Sequence, residues 1–172
     1  MTVHRIELAR EEHAAAIAAI YAHAAETSPA TFDIEGKPEK WWREEIARAD
    51  AAKGHVTLVA LDDDDTVLGY AKSGMYMERA AYDTTCLTSV YVAEGARGRG
   101  VGGALYDELL ARLEQTPGVK LAVAGIAEPN EPSIRLHLSK GYTYVGTFTD
   151  VGTKFGRTWD VSWYQRPLGR SA

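Results

Sequence analysis

The stretch ARGRGVGGALY, residues 96–106, places two arginines among four glycines. A strand-like run, TSVYV (88–92), precedes it, and a helix-like run, ALYDELLARL (104–113), follows it. Glycines allow successive backbone N–H groups to turn into one concavity, and the start of a helix adds partial positive charge there. Arginines add charge-assisted hydrogen bonds to phosphate. The stretch therefore predicts a site for a phosphate-bearing ligand.

Two well-known phosphate loops fit this stretch poorly. A Walker loop requires a lysine and a hydroxyl residue directly after the last glycine, and neither is present. Gly98, Gly100 and Gly103 match the dinucleotide pattern G-x-G-x-x-G. That pattern normally lies in the first strand–helix unit, with an acidic residue about 20 positions later. Here a hairpin pattern comes first and the next strand lacks an acid, so we interpret the match as accidental.

A third pattern, R-x-x-G-x-G, is formed by Arg97, Gly100 and Gly102. It suits a diphosphate held by backbone N–H groups and arginine without a metal ion. The alternative is a glycine-rich turn with solvated arginines, and the loop alone does not separate the two.

The hydrophobic pattern along the chain predicts one α/β domain covering residues 1–172. Its elements follow the order β-α-α-β-β-β-α-β-α-β-β, in which only the central strand–loop–helix–strand unit is a parallel crossover. The predicted strands are 2–8, 55–61, 66–76, 84–92, 119–126, 142–151 and 158–168. The predicted helices are 10–26, one opened by Pro38, 101–113, and one capped by Asn130 and ended by Gly141.

Composition narrows the class of protein. A net charge of −5 argues against a general nucleic-acid binder, which would present a broad basic face. The single cysteine, Cys86, favours the cytoplasm and predicts neither a disulfide nor a zinc site, and we expect it to be a buried strand thiol. No apolar run predicts a signal peptide or a membrane span. Residues 62–65, DDDD, are expected to form a solvated hairpin turn rather than a metal site.

A second signature lies downstream of the glycine loop. Asn130, Ser133, Leu136, Gly141 and Tyr142 match N-x-x-[AS]-x-x-L-x-x-x-x-G-[FY]. With the glycine loop, this resembles the GCN5-related N-acetyltransferase (GNAT) superfamily. The segments IYAHAAETSPATF, AYDTTCLTSVYV, PNEPSIRLHLSKGY and WDVSWYQ resemble its phosphinothricin/methionine sulfoximine N-acetyltransferase branch. This resemblance covers about residues 3–167.

The resemblance implies a GNAT fold, in which a mixed central sheet has its parallel strands 4 and 5 splayed apart and is flanked by helices. Acetyl-CoA is then the co-substrate, its diphosphate lies in the glycine loop, and its pantetheine arm lies between the splayed strands. No metal is expected. The implied coenzyme-binding residues are Val90, Tyr91, Val92, Arg97, Gly98, Arg99, Gly100, Val101, Gly102, Gly103, Asn130, Ser133 and Ser139.

The implied reaction is transfer of an acetyl group to a primary amine. Such an amine is mostly protonated at pH 7 and must lose a proton before it attacks. Backbone N–H groups of residues 88–92 are expected to stabilise the oxyanion. His137 stands where the wider superfamily often has a tyrosine near the coenzyme sulfur, and an imidazole can relay protons near neutral pH. A half-buried helix histidine with a purely structural role is the alternative.

One position departs from the resembling branch. Its members read V-E-S-T-V-Y-V, with the glutamate as the usual general base, whereas this chain reads C-L-T-S-V-Y-V and has Leu87 there. Three explanations stay open. A water chain or His137 removes the proton, which we favour; Glu128 supplies the carboxylate; or a different acceptor arrives with a lower pKa.

The resemblance also indicates an acceptor site. The residues that match its substrate-binding positions are Phe32, Arg79, Tyr82, Thr88 and Val161. An arginine suits a substrate carboxylate or phosphinate, although a surface arginine is the alternative for Arg79. Trp159 replaces a histidine common in the branch. Together with Leu87 it predicts a more apolar site and favours a bulkier or more apolar amine.

The leading hypothesis is therefore an N-acetyltransferase for a small-molecule amine, such as an amino acid or its analogue. The alternatives are an acetyl-CoA-binding module with weak catalysis and a peptide or protein N-acetyltransferase. The resemblance implies a homodimer, and the last strand offers Trp159, Trp163 and Tyr164 as exposed aromatics for it. No nucleic-acid or membrane partner is expected.

Overall fold

The computed structural model describes residues 5–169 and contains seven strands and four α-helices in that range. Their order matches the sequence prediction. The strands are β1 (Arg5–Leu8), β2 (Val56–Leu61), β3 (Val67–Met75), β4 (Thr85–Val92), β5 (Leu121–Glu128), β6 (Thr143–Lys154) and β7 (Arg157–Pro167). The helices are α1 (Ala14–Thr27), α2 (Glu39–Ala47), α3 (Val101–Gln115) and α4 (Glu131–Ser139).

The strands form one mixed sheet in the order β1-β2-β3-β4-β5-β7-β6. Only β4 and β5 run parallel, and they pair at three positions, from Thr85↔Leu121 to Leu87↔Val123. Beyond Leu87 the two strands separate, while β4 stays paired with β3 as far as Val92. The predicted splayed parallel strands are thus confirmed, and the gap between them opens next to Leu87.

Helices cover the two faces of the sheet unequally. α3 packs one face through a fully buried stripe that includes Val101, Leu105 and Leu109. α1 and α2 cover the other face over β2 and β3, where Trp42 and Tyr70 contact edge to face. Each face thereby buries its apolar residues against helices, as a layered α/β domain requires. Within residues 5–169, no helix is both long and apolar enough to cross a membrane.

One predicted helix start was wrong, and the other was one residue early. Arg10 has extended backbone and precedes a 3-10 turn at Glu11–His13, because the His13 Nδ1 atom accepts the Arg10 backbone N–H at 3.0 Å. Pro38 is also extended, with ψ 157°, and lies one residue before α2 rather than within it. Residues 2–4 of the first predicted strand lie outside the described residues.

The fifth strand begins and ends two residues later than predicted. Val119 is buried, but it follows the turn after α3 and packs into the core without joining the strand. The strand then continues to Glu128, because pairing with β7 extends to Asp160. The apolar run at 119–126 therefore predicted correctly that most of this segment is buried, but it did not predict where the strand begins and ends.

Two turns illustrate how local sequence shapes the hairpins. The acidic stretch is the exposed β2–β3 turn that its sequence predicts, and Asp62 Oδ1 accepts the backbone N–H groups of Asp64 and Thr66. The β6–β7 turn contains Phe155 and Gly156, both with positive φ. That conformation is the one that two-residue hairpins favour.

Candidate functional site

A cleft of about 630 Å³ runs from the glycine loop into the gap between β4 and β5. We call it the glycine-loop cleft. Its walls come from β4, the loop, the first half of α3, the end of β5, and α4 with its cap. It collects most of the residues predicted to bind coenzyme: Val90, Tyr91, Val92, Arg97, Gly98, Gly100, Val101, Gly102, Gly103, Asn130 and Ser133.

The start of α3 faces this cleft without a side-chain cap. Gly100 occupies the N-cap position with φ +80°, and Gly98 has φ +74°. A Cβ at either position would meet no described atom within 4 Å, so protein packing does not exclude a side chain there. The first N–H groups of the helix lack intrahelical partners. Loop and helix together suit an anion that approaches the backbone closely.

A buried side chain marks the point where β4 and β5 separate. Thr88 is only 3% exposed, and its Oγ1 donates to the Val123 carbonyl oxygen at 3.1 Å. Because that hydroxyl has a single hydrogen, the Tyr142 hydroxyl must donate to Thr88 Oγ1, at 2.8 Å. Thr88 was predicted to bind the acceptor. Its side chain lines the glycine-loop cleft and fastens the two strands together.

We expect Thr88→Val to lower the free energy of unfolding by about 1–3 kcal/mol, because it leaves the buried Tyr142 hydroxyl and the Val123 carbonyl without this partner. Urea denaturation would measure the loss. Thr85→Val, on the same strand, is the matched control and should change stability little. Equal stability of the two variants would contradict the fastening role.

His137 lies in the floor of the cleft and is 4% exposed. Its Nδ1 atom is 2.7 Å from the Ser133 carbonyl oxygen, which can only accept, so Nδ1 carries the hydrogen. Its Nε2 atom lies 2.9 Å from the Tyr106 hydroxyl, which therefore donates to it in the neutral ring. Burial lowers the pKa of His137, and the Ser133 contact only partly opposes this. The imidazole is thus held neutral, with its basic nitrogen directed at Tyr106.

Tyr106 is the residue of this site that the sequence did not reveal. It is fully buried, lines the glycine-loop cleft, and contacts the rings of His137 and Tyr142. Burial raises the pKa of its hydroxyl well above the ordinary value, so the group stays protonated. Its position in an apolar helix stripe indicated only core packing. A signal for its role appears only when α3 and α4 are brought together.

Three further depressions meet at Leu87, which is 37% exposed. We name each after one residue. The Phe32 pocket, of about 510 Å³, is lined by residues 29–32, Leu87, Gly125, Ala127, Phe148, Val151, Val161 and Trp163. The Tyr82 pocket, of about 610 Å³, includes Tyr76, Met77, Leu121, Val123 and Trp163. The Lys72 cleft, of about 470 Å³, includes Glu45, Arg48, His55, Thr57 and Ser89.

The predicted acceptor residues do not all converge. Phe32 and Val161 line the Phe32 pocket together, and Tyr82 lines the neighbouring Tyr82 pocket. Arg79 is exposed before a 3-10 turn and, within the described part of the chain, lines none of the four depressions. The structure therefore brings the apolar members together and leaves the arginine outside.

Three other predicted residues lie away from the gap. Glu128 accepts a hydrogen bond from Ser162 and lines a separate depression with Asp150 and Asp160. Ser139 is exposed at the end of α4, where its hydroxyl donates to a backbone carbonyl of its own helix. Trp159 donates to a backbone carbonyl of β6, and an arginine lies 4.1 Å from its ring.

Arg99 and Cys86 complete the predicted set. Arg99 is exposed in the glycine loop beside Gly98 and Gly100. Cys86 is fully buried on β4, and burial raises the pKa of its thiol to about 11. The prediction of a buried strand thiol is confirmed, and a protonated thiol is a poor nucleophile.

A buried lysine holds one wall of the Phe32 pocket. Lys154 is 4% exposed, and its Nζ atom donates to the carbonyl oxygens of Ser28 at 2.9 Å and Thr31 at 2.8 Å. Gly152, on the same strand, lies so close to Phe32 that a Cβ would come within 2.2 Å of its ring. The loop after α1 is thus fixed against the β6–β7 hairpin.

Comparison with known proteins agrees with this geometry. Residues 11–142 match the Acetyltransferase (GNAT) family. The chain is 41% identical over 159 residues to phosphinothricin N-acetyltransferase from Streptomyces coelicolor, covering 92% of both proteins. A phosphinothricin acetyltransferase from Sinorhizobium meliloti in complex with AcCoA superposes with TM-score 0.91 at 30% identity, covering 98% of this chain and 90% of that one.

A third match has a different name. Ribosomal-protein-alanine N-acetyltransferase from Brucella melitensis superposes with TM-score 0.86 at 34% identity, covering 95% of this chain and 99% of that one. These matches share the fold and an acetyl-transfer name while they differ in the acceptor that they name. The chain therefore belongs to the GNAT acetyltransferase family and is an N-acetyltransferase, as its sequence predicts.

Proposed function

We propose that this protein transfers the acetyl group of acetyl-CoA to the primary amine of an amino acid or an amino-acid analogue of the phosphinothricin/methionine sulfoximine type. The observation that carries the proposal is the junction at Leu87. There the glycine-loop cleft reaches the gap between β4 and β5, next to three depressions that can admit an acceptor. Similarity to a phosphinothricin N-acetyltransferase supports the acceptor class.

The residues present fit acetyl-CoA. The uncapped start of α3, Gly98, Gly100 and Arg97 suit the diphosphate. Among residues 5–169, β4 has no strand partner on its β5 side beyond Leu87, so its backbone groups there can bond the pantetheine amides and the oxyanion. When bound, acetyl-CoA supplies the thioester whose carbonyl carbon the amine attacks.

We expect Gly100→Ala to weaken acetyl-CoA binding about tenfold. A left-handed backbone costs an ordinary residue roughly 1–2 kcal/mol, so the free loop is expected to relax away from the conformation that suits the diphosphate, and binding has to restore it. Gly95→Ala is the matched control, because its Cβ also meets no described atom and its φ is not positive. Calorimetry with acetyl-CoA measures both. Equal dissociation constants would contradict the proposed contact.

Proton transfer is assigned to the Tyr106–His137 pair. The amine must lose one proton, and the departing thiolate must gain one. Tyr106 can take the proton of the amine through water while it passes its own hydroxyl proton to His137 Nε2, the nitrogen of the neutral ring that carries no hydrogen. The reverse transfer returns a proton to the thiolate. Leu87 cannot take part, and the Glu128 carboxylate is engaged with Ser162 outside the acceptor depressions.

Assembly and location complete the proposal. We place the enzyme in the cytoplasm as a homodimer. Of the aromatics predicted to be exposed for it, Tyr164 is buried and Trp163 is half-buried in the pockets, so that part of the prediction was wrong. Exposed apolar residues of β6, namely Val145, Phe148 and Val151, are better placed for a second copy.

Acetylation of a ribosomal protein is the second candidate, because the Brucella structure carries that name at 34% identity. One assay separates the candidates. The enzyme is incubated with acetyl-CoA and a panel of amino acids, amino-acid analogues, simple amines and alanine-terminated peptides, and free thiol is followed. Thiol release with amino acids and not with peptides supports the proposal. Thiol release with peptides alone contradicts it. The absence of thiol release with every amine of the panel, although acetyl-CoA binds, also contradicts it.

A further inference from the structure

The three depressions at Leu87 differ in charge. Among the described residues that line the Phe32 pocket and the Tyr82 pocket, none is charged. The Lys72 cleft contains Glu45, Arg48 and Lys72. An amino acid whose amine reacts at the gap still has a carboxylate to place. A carboxylate is costly to bury in an uncharged apolar pocket without a paired cation.

Lys72 is well placed to receive that carboxylate. It pairs directly with Ser89 across β3 and β4, and Ser89 lines both the Lys72 cleft and the glycine-loop cleft. The next pair on the same face of the two strands is Gly74 with Leu87. Because β3 is the direct neighbour of β4, the Lys72 cation lies one strand away from the gap. Gly74 has no side chain to fill the space between Lys72 and the junction at Leu87.

The ammonium group is held in a defined position. Lys72 Nζ contacts the Glu45 carboxylate and lies 5.5 Å and 5.9 Å from the ring centroids of Trp41 and Trp42. Both members of the ion pair are partly buried. An ammonium group has three donors, and one contact with Glu45 leaves the others for a second carboxylate. Such fixed placement suits a group that orients a ligand.

Arg48 and Arg79 are less suitable cations. Arg48 lines the same cleft, but it is exposed and bridges Glu44 and Glu45 along its own helix. Arg79, the arginine that the sequence favoured, is exposed and lies outside the four depressions. The position of Lys72 on β3 therefore makes it a better candidate than Arg79 to bind the acceptor's carboxylate.

We propose that Lys72 binds the α-carboxylate of the acceptor, with the acceptor side chain in the Phe32 pocket and its amine at the gap. This deepens the proposed function and rests on it. Glu45 keeps Lys72 in place and shares its ammonium with the incoming carboxylate. Lys72 thereby selects amino acids over amines that lack a carboxylate.

The test compares the amino acid that the panel shows to be acetylated fastest with its α-carboxamide, which keeps the amine and side chain. Lys72→Met should lower kcat/KM for the amino acid about 10-fold to 100-fold, the effect of losing a charge-assisted contact. It should leave the carboxamide nearly unchanged. Arg79→Met is the matched control, and its ratio of kcat/KM for the amino acid to kcat/KM for the carboxamide should equal that of the wild type. Lys72→Arg should recover part of the loss.

Equal losses for the acid and the amide in Lys72→Met, or a selective loss in Arg79→Met, would overturn the proposal. Acetyl-CoA affinity and melting temperature show whether each variant is folded. A second readout needs no turnover. The enzyme is saturated with CoA, which carries no acetyl group, and is then titrated calorimetrically with phosphinothricin and with its α-carboxamide. A failure of the proposed function, seen as absent thiol release, is therefore distinct from a failure of this assignment, seen as unselective binding.

Discussion

Replacing His137 with glutamine is expected to lower kcat for acetyl transfer about 100-fold or more, the usual size of a general acid–base contribution. A glutamine amide can still donate to the Ser133 carbonyl, but it cannot accept and return a proton, which is the role proposed for Nε2. Stopped-flow detection of CoA thiol would measure kcat. His23→Gln is the matched control, since His23 lies on α1 outside the depressions described above, with its Nε2 atom 3.8 Å from the Glu94 carboxylate. A variant with more than a third of wild-type kcat would contradict the role.

The same residue predicts how pH acts. Burial lowers the folded-state pKa of His137 below the unfolded value of about 6.5, so the unfolded chain binds more protons between these two values. Its contribution to stability is present above pH 6.5 and is lost as pH falls through the folded pKa. The acidic limb of kcat should lie in the same window, below pH 6.5. Urea unfolding of His137→Gln should depend less on pH in that window.

Lys154→Met is expected to lower the free energy of unfolding by about 3 kcal/mol and to raise KM for the amine more than tenfold. The substitution removes the donor to two partly buried carbonyl oxygens, and an acceptor left without its partner costs about 1–3 kcal/mol when it is buried. The loop between Ser28 and Thr31 would then lose its attachment to β6, and the wall of the Phe32 pocket would move. Affinity for acetyl-CoA should change little.

Urea denaturation and steady-state kinetics measure the two effects of Lys154→Met. Lys53→Met is the matched control, because Lys53 forms a 3.6 Å ion pair on the surface with Asp83. Such exposed pairs contribute roughly 0–1 kcal/mol. If Lys154→Met raised KM for acetyl-CoA as much as KM for the amine, a general loss of structure would explain the result and the specific role would be refuted.

The fold could be predicted from sequence because its signals are local. Glycines at positive φ, an Asn130 cap that accepts the Ser133 N–H, and apolar stripes of period 3.6 each act within one element. Strand ends were predicted less well. Val119 and Glu128 show why, since one is buried without pairing and the other pairs without being apolar.

The site was predictable only where a motif runs along the chain. The glycine loop and the Asn130 signature supplied most of the residues that line the glycine-loop cleft. Tyr106 was missed because its role needs α4 beside α3, and Lys154 because its partners lie more than 120 positions away. Arg79 lies outside the depressions, because resemblance gave its position in the sequence and not its distance from the gap, and its contact with the acceptor stays a prediction.

Leu87 has a consequence for how acceptor preference can diverge among related enzymes. Phe32, Lys72 and Tyr82 each line one of the three depressions, whereas Leu87 lines all of them. If the acceptor binds as proposed, a mutation at Phe32, Lys72 or Tyr82 is expected to alter one depression while the other two stay unchanged. A mutation at position 87 is expected to change all three depressions together, so under the proposed function it would alter the whole range of acceptors in one evolutionary step.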